Sequence, residues 1–248
     1  MNIDWKITEE DINKVKDIIE KQGNNAFVIN RNKINIEKKG INLSNEKIWH
    51  SLIQSLLTTQ EKSGPGSPVL NLINEKPFPL SLMEINSKDN KQSFVLNVLK
   101  EHKLHYYNNK ADWILHNYAL MTPKYFEDLI ENLNKLLVTD DMLVERDTAH
   151  QIADRFKGIG PKQSRNFLQM QGLTKYVIPI DSRLTNWFNS NGLFPFIIDS
   201  SSLSSINFYE FIEDGIQKLC KQAGVYPCLL DACIFVSFNK GDYETEFN

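Results

Sequence analysis

Residues 157–161 read Lys-Gly-Ile-Gly-Pro and lie between two stretches with helical apolar spacing, 148–156 and 161–171. Two glycines flanking one aliphatic residue permit a very tight reversal with positive φ. Pro161 suits the first position of the helix that follows. The chain must therefore fold back on itself here, with the two helices side by side and Ile159 plugged between them. Such a turn leaves the amides of Gly158, Gly160 and the next helical turn unpaired and facing outward. That arrangement suits a phosphate oxygen. A contact of this kind positions a nucleic-acid backbone without reading its sequence.

Around this hairpin the chain reads as helix after helix. Thr8 followed by Glu9, Glu10 and Asp11 starts a helix whose apolar positions are Ile12, Val15, Ile18 and Ile19, and Gly23 stops it. Ala26 to Ile36 alternates apolar and polar residues around Asn30-Arg31-Asn32, which predicts a small β-hairpin. Ser44 caps a helix running to about Gln60, and Gly64 to Pro68 forms a turn. Further helical patterns fall near 68–75, 90–102, 108–121, 124–138, 181–190, 208–223 and 226–237, and the tail from Gly241 to Asn248 is acidic. The fold class expected is mainly α.

Composition narrows the field. Hydrophobic residues make up 41% of 248 positions, which excludes a disordered or collagen-like chain. No stretch has the roughly 18 to 20 consecutive apolar residues of a membrane span. The mixed polar opening does not read as a secretion signal. Three cysteines are too few, and odd in number, for a disulfide framework, so a reducing compartment is expected. The formal net charge is only -3, yet residues 151–183 carry Arg155, Lys157, Lys162, Arg165, Lys175 and Arg183 against Asp154 and Asp181. A basic island in an acidic chain points to an anionic partner, although a solvated helix face would look the same.

The hairpin continues into Lys162, and Ile178-Pro179-Ile180-Asp181-Ser182-Arg183 follows, with 19 residues (181 minus 162) from lysine to aspartate. This combination resembles the helix-hairpin-helix DNA glycosylase superfamily of endonuclease III and 8-oxoguanine glycosylase. The resemblance implies that Lys162 is the Schiff-base nucleophile and Asp181 the second catalytic group. Leu52 to Gln60 is similar to a family helix whose last polar side chain, here Gln60, enters the gap left by an extruded base. His105 to Ala111 is similar to the entry into a helix lining the interdomain cleft. In all, the likeness covers about residues 45–237.

The residue chemistry is compatible. A lysine in the first turn of a helix sits at the positive end of the dipole, and burial adds to the lowering of its pKa. A neutral amine can attack the sugar C1′. Asp181 is also a good N-cap, and a fixed carboxylate there stabilises positive charge on the sugar. Asp231 and Phe235, four apart, share a helix face and offer an acceptor beside an aromatic ring. That pair suits the N1–H and N2–H donors of guanine or 8-oxoguanine and resembles the C-terminal helix of 8-oxoguanine glycosylases. Asn166 stands where the eukaryotic enzymes carry a base-stacking cysteine. Taken singly, each residue has a plainer reading: Lys162 as a phosphate contact, Gln60 as a helix end, Phe235 as core and Asp231 as a helix cap or salt bridge.

Cys220, Cys228 and Cys233 give C-x7-C-x4-C, one ligand short of the four thiolates that hold an iron–sulfur cluster. His102 and His105 lack a third ligand for zinc. Neither a metal nor a cofactor is expected.

The resemblance thus implies a bilobal helix-hairpin-helix DNA glycosylase fold with a small N-terminal β-hairpin. Residues 1–40 would pack on a helical lobe made of 41–64 plus 179–248. The other lobe, 65–178, would contain the helix-hairpin-helix (148–171). The expected function is a bifunctional DNA glycosylase and AP lyase that excises 8-oxoguanine through a lysine Schiff base and nicks the strand by β-elimination. Lys162 and Asp181 would be catalytic. Gly158, Ile159, Gly160, Gln163 and Gln60 would contact DNA, and Asp231, Phe235 and Asn166 would form the base pocket. The expected partner is double-stranded DNA with a damaged base, met by a monomer in the cytoplasm or on a prokaryotic nucleoid. An endonuclease III-like enzyme for oxidised pyrimidines and a non-catalytic helix-hairpin-helix DNA-binding protein are the alternatives.

Overall fold

The computed structural model describes residues 4–61, 64 and 66–238. The acidic tail 241–248 lies outside the described residues. In chain order the helices are α1 (Glu9–Gln22), α2 (Ala26–Arg31), a π-helical turn (Asn32–Ile36), α3 (Asn45–Leu57), α4 (Pro68–Ile73), α5 (Leu82–Asn86), α6 (Lys91–Glu101), α7 (Tyr107–Leu120), α8 (Pro123–Val138), α9 (Met142–Arg155), α10 (Pro161–Met170) and α11 (Ser182–Ser190). A 3-10 turn (Ser202–Ser204), α12 (Ile206–Ala223) and α13 (Pro227–Phe238) complete them. Most of these helices start on a side-chain cap: Thr8, Ser44, Ser67, Ser81, Thr122 and Asp141 each accept a hydrogen bond from a backbone amide of the first turn. Each cap satisfies an amide that the helix itself leaves unpaired.

Two hydrophobic cores organise these helices. The first gathers Ile48, Leu52, Leu56, Leu72, Val95, Ile114, Leu133, Ile152, Ile159 and Phe167, from α3 through α10. The second joins the N-terminal residues Ile12, Val15 and Phe27 to Ile178, Leu184, Phe188, Tyr209, Ile216, Leu230 and Ile234. Its centre is α13, where Leu230, Ala232, Cys233 and Ile234 are all fully buried. A helix that is apolar all round belongs inside a core.

Two sequence expectations are corrected. Residues 26–36 are not a β-hairpin, and the described residues contain no strand. Asn25 caps a helix that buries Phe27 and Val28 against α13. Asn35 then donates to the carbonyls of Gln169 and Thr174, at 3.0 and 2.9 Å. These tertiary contacts override a short alternating pattern, because strand propensity depends on packing against neighbours that this segment lacks. The placement of 41–64 with the C-terminal lobe also differs. Ile48, Leu52, Ile53, Leu56 and Leu57 of α3 are wholly buried in the first core, packed on α10 and α4. Apolar spacing shows that a helix has a buried face but does not name what covers it.

The crossing between the cores is held by Glu145 of α9. Its buried carboxylate accepts from Thr174 Oγ1 and from the amides of Lys175, Tyr176 and Val177, at 2.6 to 3.1 Å. Burial pushes its pKa up, against the pull of these four donors. The chain then enters the second core at Ile178 and arrives at Asp181 in a fixed place.

Candidate active site

The hairpin takes the tight form that its sequence requires. Gly158 has φ +79°, Ile159 is buried in the first core, and Gly160 precedes α10 with Pro161 at its first position. Among the described residues, the amides of Gly158 and Gly160 donate to no backbone carbonyl. The turn is gripped from α7: Asn117, fully buried, donates to Lys157 O (3.0 Å) and accepts from Lys157 N (2.9 Å). A Cβ on Gly158 would run into the Trp113 ring. Gly158→Ala is therefore expected to lower stability by about 2 kcal/mol, through positive-φ strain plus that clash. A urea midpoint unchanged from the parent would show that the turn does not need its glycine.

Lys162 follows in the first turn of α10 and is half-buried. Burial depresses its pKa; Asp181 opposes the shift, Arg183 reinforces it, and Asp231 opposes it. Asp181 caps α11, its Oδ1 accepting from the amides of Arg183 (2.8 Å) and Leu184 (3.1 Å). Its Oδ2 accepts from the Arg183 guanidinium at 2.5 and 2.8 Å. Two helix N-termini, one from each core, thus present an amine and a carboxylate to one cavity of about 120 Å³.

Asp231, Phe235 and Asn166 line the same cavity. Asp231 is buried, accepts from Gln169 Nε2 at 2.6 Å, and is pushed up to about 6 by burial, against the nearby Arg31. Asn166 donates to Ser55 Oγ at 3.4 Å. Phe235 stacks on Phe27 with centroids 4.9 Å apart, and the Arg183 guanidinium lies 4.3 Å from its ring centre.

Gln60 and Gln163 stand outside that lining. Gln163 Nε2 donates to Thr59 Oγ1 at 3.2 Å, reaching from α10 to the end of α3. Gln60 is exposed with φ +54°, a conformation rare outside glycine and often found at functional sites. The next residue anchors it: Glu61 accepts from Lys110 Nζ (2.8 Å) and pairs with His105 Nδ1 (2.9 Å). Burial alone would raise the Glu61 pKa, yet these partners hold it below its ordinary value.

His105 is thus engaged with Glu61, and His102 Nε2 pairs with Glu75 at 2.8 Å. Cys220, Cys228 and Cys233 are free and buried, and burial raises all three thiol pKa values. Among the described residues no three His, Cys, Asp or Glu side chains are grouped to hold a metal.

Several cavity and support residues carried no motif. Phe27 and Arg31 come from the segment read as a hairpin, and Gln169 from the far end of α10. Phe27 and Arg31 are four apart, with the guanidinium 5.3 Å from the ring, so helical spacing was the available signal. Behind the cavity, the fully buried Arg165 pairs with Glu213 of α12 (3.1 Å) and lies over the Tyr209 ring (4.8 Å). The Tyr209 hydroxyl accepts from Ile180 N (2.7 Å) and donates to Ile178 O (2.8 Å). This brace runs from the helix of Lys162 to the strap that delivers Asp181.

Comparison with known proteins agrees with this architecture. A family model described as 8-oxoguanine DNA glycosylase, of the helix-hairpin-helix type, matches residues 29–225. Among solved structures, the 8-oxoguanine glycosylase/lyase of Methanocaldococcus jannaschii, crystallised with a 15mer DNA containing 8-oxoguanine, superposes with a TM-score of 0.70 at 16% identity. That match covers 93% of this chain and 98% of the other. The 8-oxoguanine DNA glycosylase of Thermotoga maritima gives a TM-score of 0.62 at 16% identity, covering 94% and 98%. At such identities the likeness establishes the fold. No curated protein matches the sequence.

Proposed function

The chain belongs to the 8-oxoguanine DNA glycosylase family, and from that premise we propose that it removes 8-oxoguanine from duplex DNA by a lysine Schiff base and then nicks the strand. The observation that carries this reading is the meeting of Lys162 and Asp181 at one cavity, with the amine's pKa depressed.

The proposed sequence begins with extrusion of the base, because its target atoms are unreachable inside a duplex. The hairpin amides of Gly158 and Gly160 hold a phosphate, and nearby cations such as Lys157 make affinity salt-sensitive. Gln60 fills the vacated stack. The Lys162 lone pair then forms a bond to C1′ as the bond from C1′ to the base breaks, and the base leaves with one of the two protons of the resulting ammonium. Asp181 stabilises the positive charge that develops on the sugar. The C1′–O4′ bond then breaks, the remaining proton on the Lys162 nitrogen passes to O4′, and an imine is left between C1′ and Lys162. Loss of a C2′ proton then expels the 3′ phosphate, which is the nick.

Borohydride trapping tests this directly. Incubated with the reductant and a panel of lesion duplexes, the protein should become covalently attached to 8-oxoguanine DNA and not to duplexes carrying oxidised pyrimidines. Absence of any trapped adduct alongside base release would exclude the imine. Trapping on the pyrimidine lesions alone would overturn the choice of base.

Asp231 supplies the acceptor for the Watson–Crick edge in this scheme. Asp231→Ala is expected to slow excision of 8-oxoguanine by about tenfold to a hundredfold, the scale of a lost hydrogen bond to a charged group. Nicking at a preformed abasic site, which has no base to read, should change little. Equal excision rates for parent and variant would remove Asp231 from the pocket.

A further inference from the structure

Gln169 lines the cavity with Lys162, Asp181 and Asp231 and is only 3% exposed. One half of its amide is accounted for, since Nε2 donates to Asp231 Oδ2 at 2.6 Å. The other half is not: Oε1 is buried and has no hydrogen-bond partner. Buried polar atoms nearly always find partners, so an orphan acceptor at a ligand cavity needs a reason. Turning the amide over would not help, because Oε1 would then face the Asp231 carboxylate, acceptor against acceptor. Two neighbouring donors are engaged elsewhere. Asn35 Nδ2 and Arg31 Nη1 both donate to the main-chain carbonyl of Gln169, at 3.0 and 3.4 Å, and not to its side chain.

We infer that Gln169 Oε1 is a base-reading acceptor, oriented by Asp231, and that the two residues together select a purine carrying a 2-amino group. The inference rests on the glycosylase reading of this cavity. Guanine and 8-oxoguanine present two adjacent donors, N1–H and N2–H, on one edge. Adenine presents one donor beside an acceptor there. An amide and a carboxylate bonded to each other place two acceptors side by side. Of the two, the Gln169 oxygen is the one left without a donor in the protein, and the exocyclic N2–H supplies it. An incoming base without that amine would enclose the same orphan atom and gain nothing from it.

The test compares single-turnover excision of 8-oxoguanine with that of 8-oxohypoxanthine, the same base without its 2-amino group, from otherwise identical duplexes. The wild-type protein should favour 8-oxoguanine by about tenfold or more, the size of one hydrogen bond. Gln169→Met strips Asp231 of its donor and should slow both bases, but 8-oxoguanine by about tenfold more than 8-oxohypoxanthine, which brings the ratio close to one. Gln169→Leu is the second variant, with the same expected pattern. Nicking of a preformed abasic site reports whether either variant is folded. Equal slowing of both bases would mean a merely structural role and overturns the inference, as does a ratio that neither variant changes. A wild-type ratio near one overturns it without any variant. A wild-type protein that releases 8-oxoguanine normally while the ratio ignores Gln169 defeats this inference alone. A protein that releases neither base defeats the parent reading instead.

Discussion

Lys162→Gln is expected to abolish borohydride trapping and to reduce strand nicking by roughly three orders of magnitude or more, the scale seen when a nucleophile is removed. Binding to lesion duplex should persist, because the hairpin amides of Gly158 and Gly160 do not depend on the side chain. A gel-shift titration beside a trapping assay separates the two effects. Unchanged nicking would refute the assigned nucleophile. The same amine sets a pH dependence. Only its neutral form attacks, and that form dominates above the pKa. Burial lowers this pKa from its ordinary 10.5, with Arg183 adding to the effect and Asp181 and Asp231 resisting it. The rate of abasic-site nicking should therefore rise with pH and level off below pH 10.5. A rate still climbing beyond that point would show an ordinary, solvated lysine.

Arg165→Met is expected to lower stability by about 3 kcal/mol or more, because it strands the buried Glu213 with a single remaining cation, Arg146. For a chain of this length each kcal/mol shifts Tm by roughly 2–4 °C, so a fall of roughly 6–12 °C should appear in a calorimetric scan. The variant should also nick more slowly at temperatures where it is folded. Arg165 lies over Tyr209, whose hydroxyl ties down Ile178 and Ile180 just ahead of Asp181. Tyr209→Phe removes that tie while leaving the ion pair intact. It should lower kcat with a smaller loss of Tm, which separates positioning from stability. A fall in Tm of less than 2 °C for Arg165→Met would show that water or a shifted side chain replaces the guanidinium.

Much of the site was legible in the residue order. The hairpin needed only neighbours: two glycines, a plug and a proline, all within four positions. Lys162 falls in the first turn of one helix and Asp181 caps another, and both helix starts are local signals, Pro161 for one and the aspartate itself for the other. Asp231 and Phe235 were visible as a pair because helical spacing puts them on one face. The support around them was not visible. Asn117 reaches the hairpin from 40 residues away, Glu213 reaches Arg165 across 48, and Gln169 reaches Asp231 across 62. No local pattern marks such partners, since an asparagine or glutamate in a helix looks alike whether it is solvated or buried against a distant cation.

The amino-acid order settled most of the helices, the hairpin with the amine behind it, and the capping carboxylate of α11. These depend on caps, turns and spacing, which act over a few residues. Packing settled which core takes α3, that residues 26–36 coil instead of pairing as strands, and that Phe27, Arg31 and Gln169 join the cavity. Burial is a property of two surfaces meeting, and a periodic pattern records only one of them.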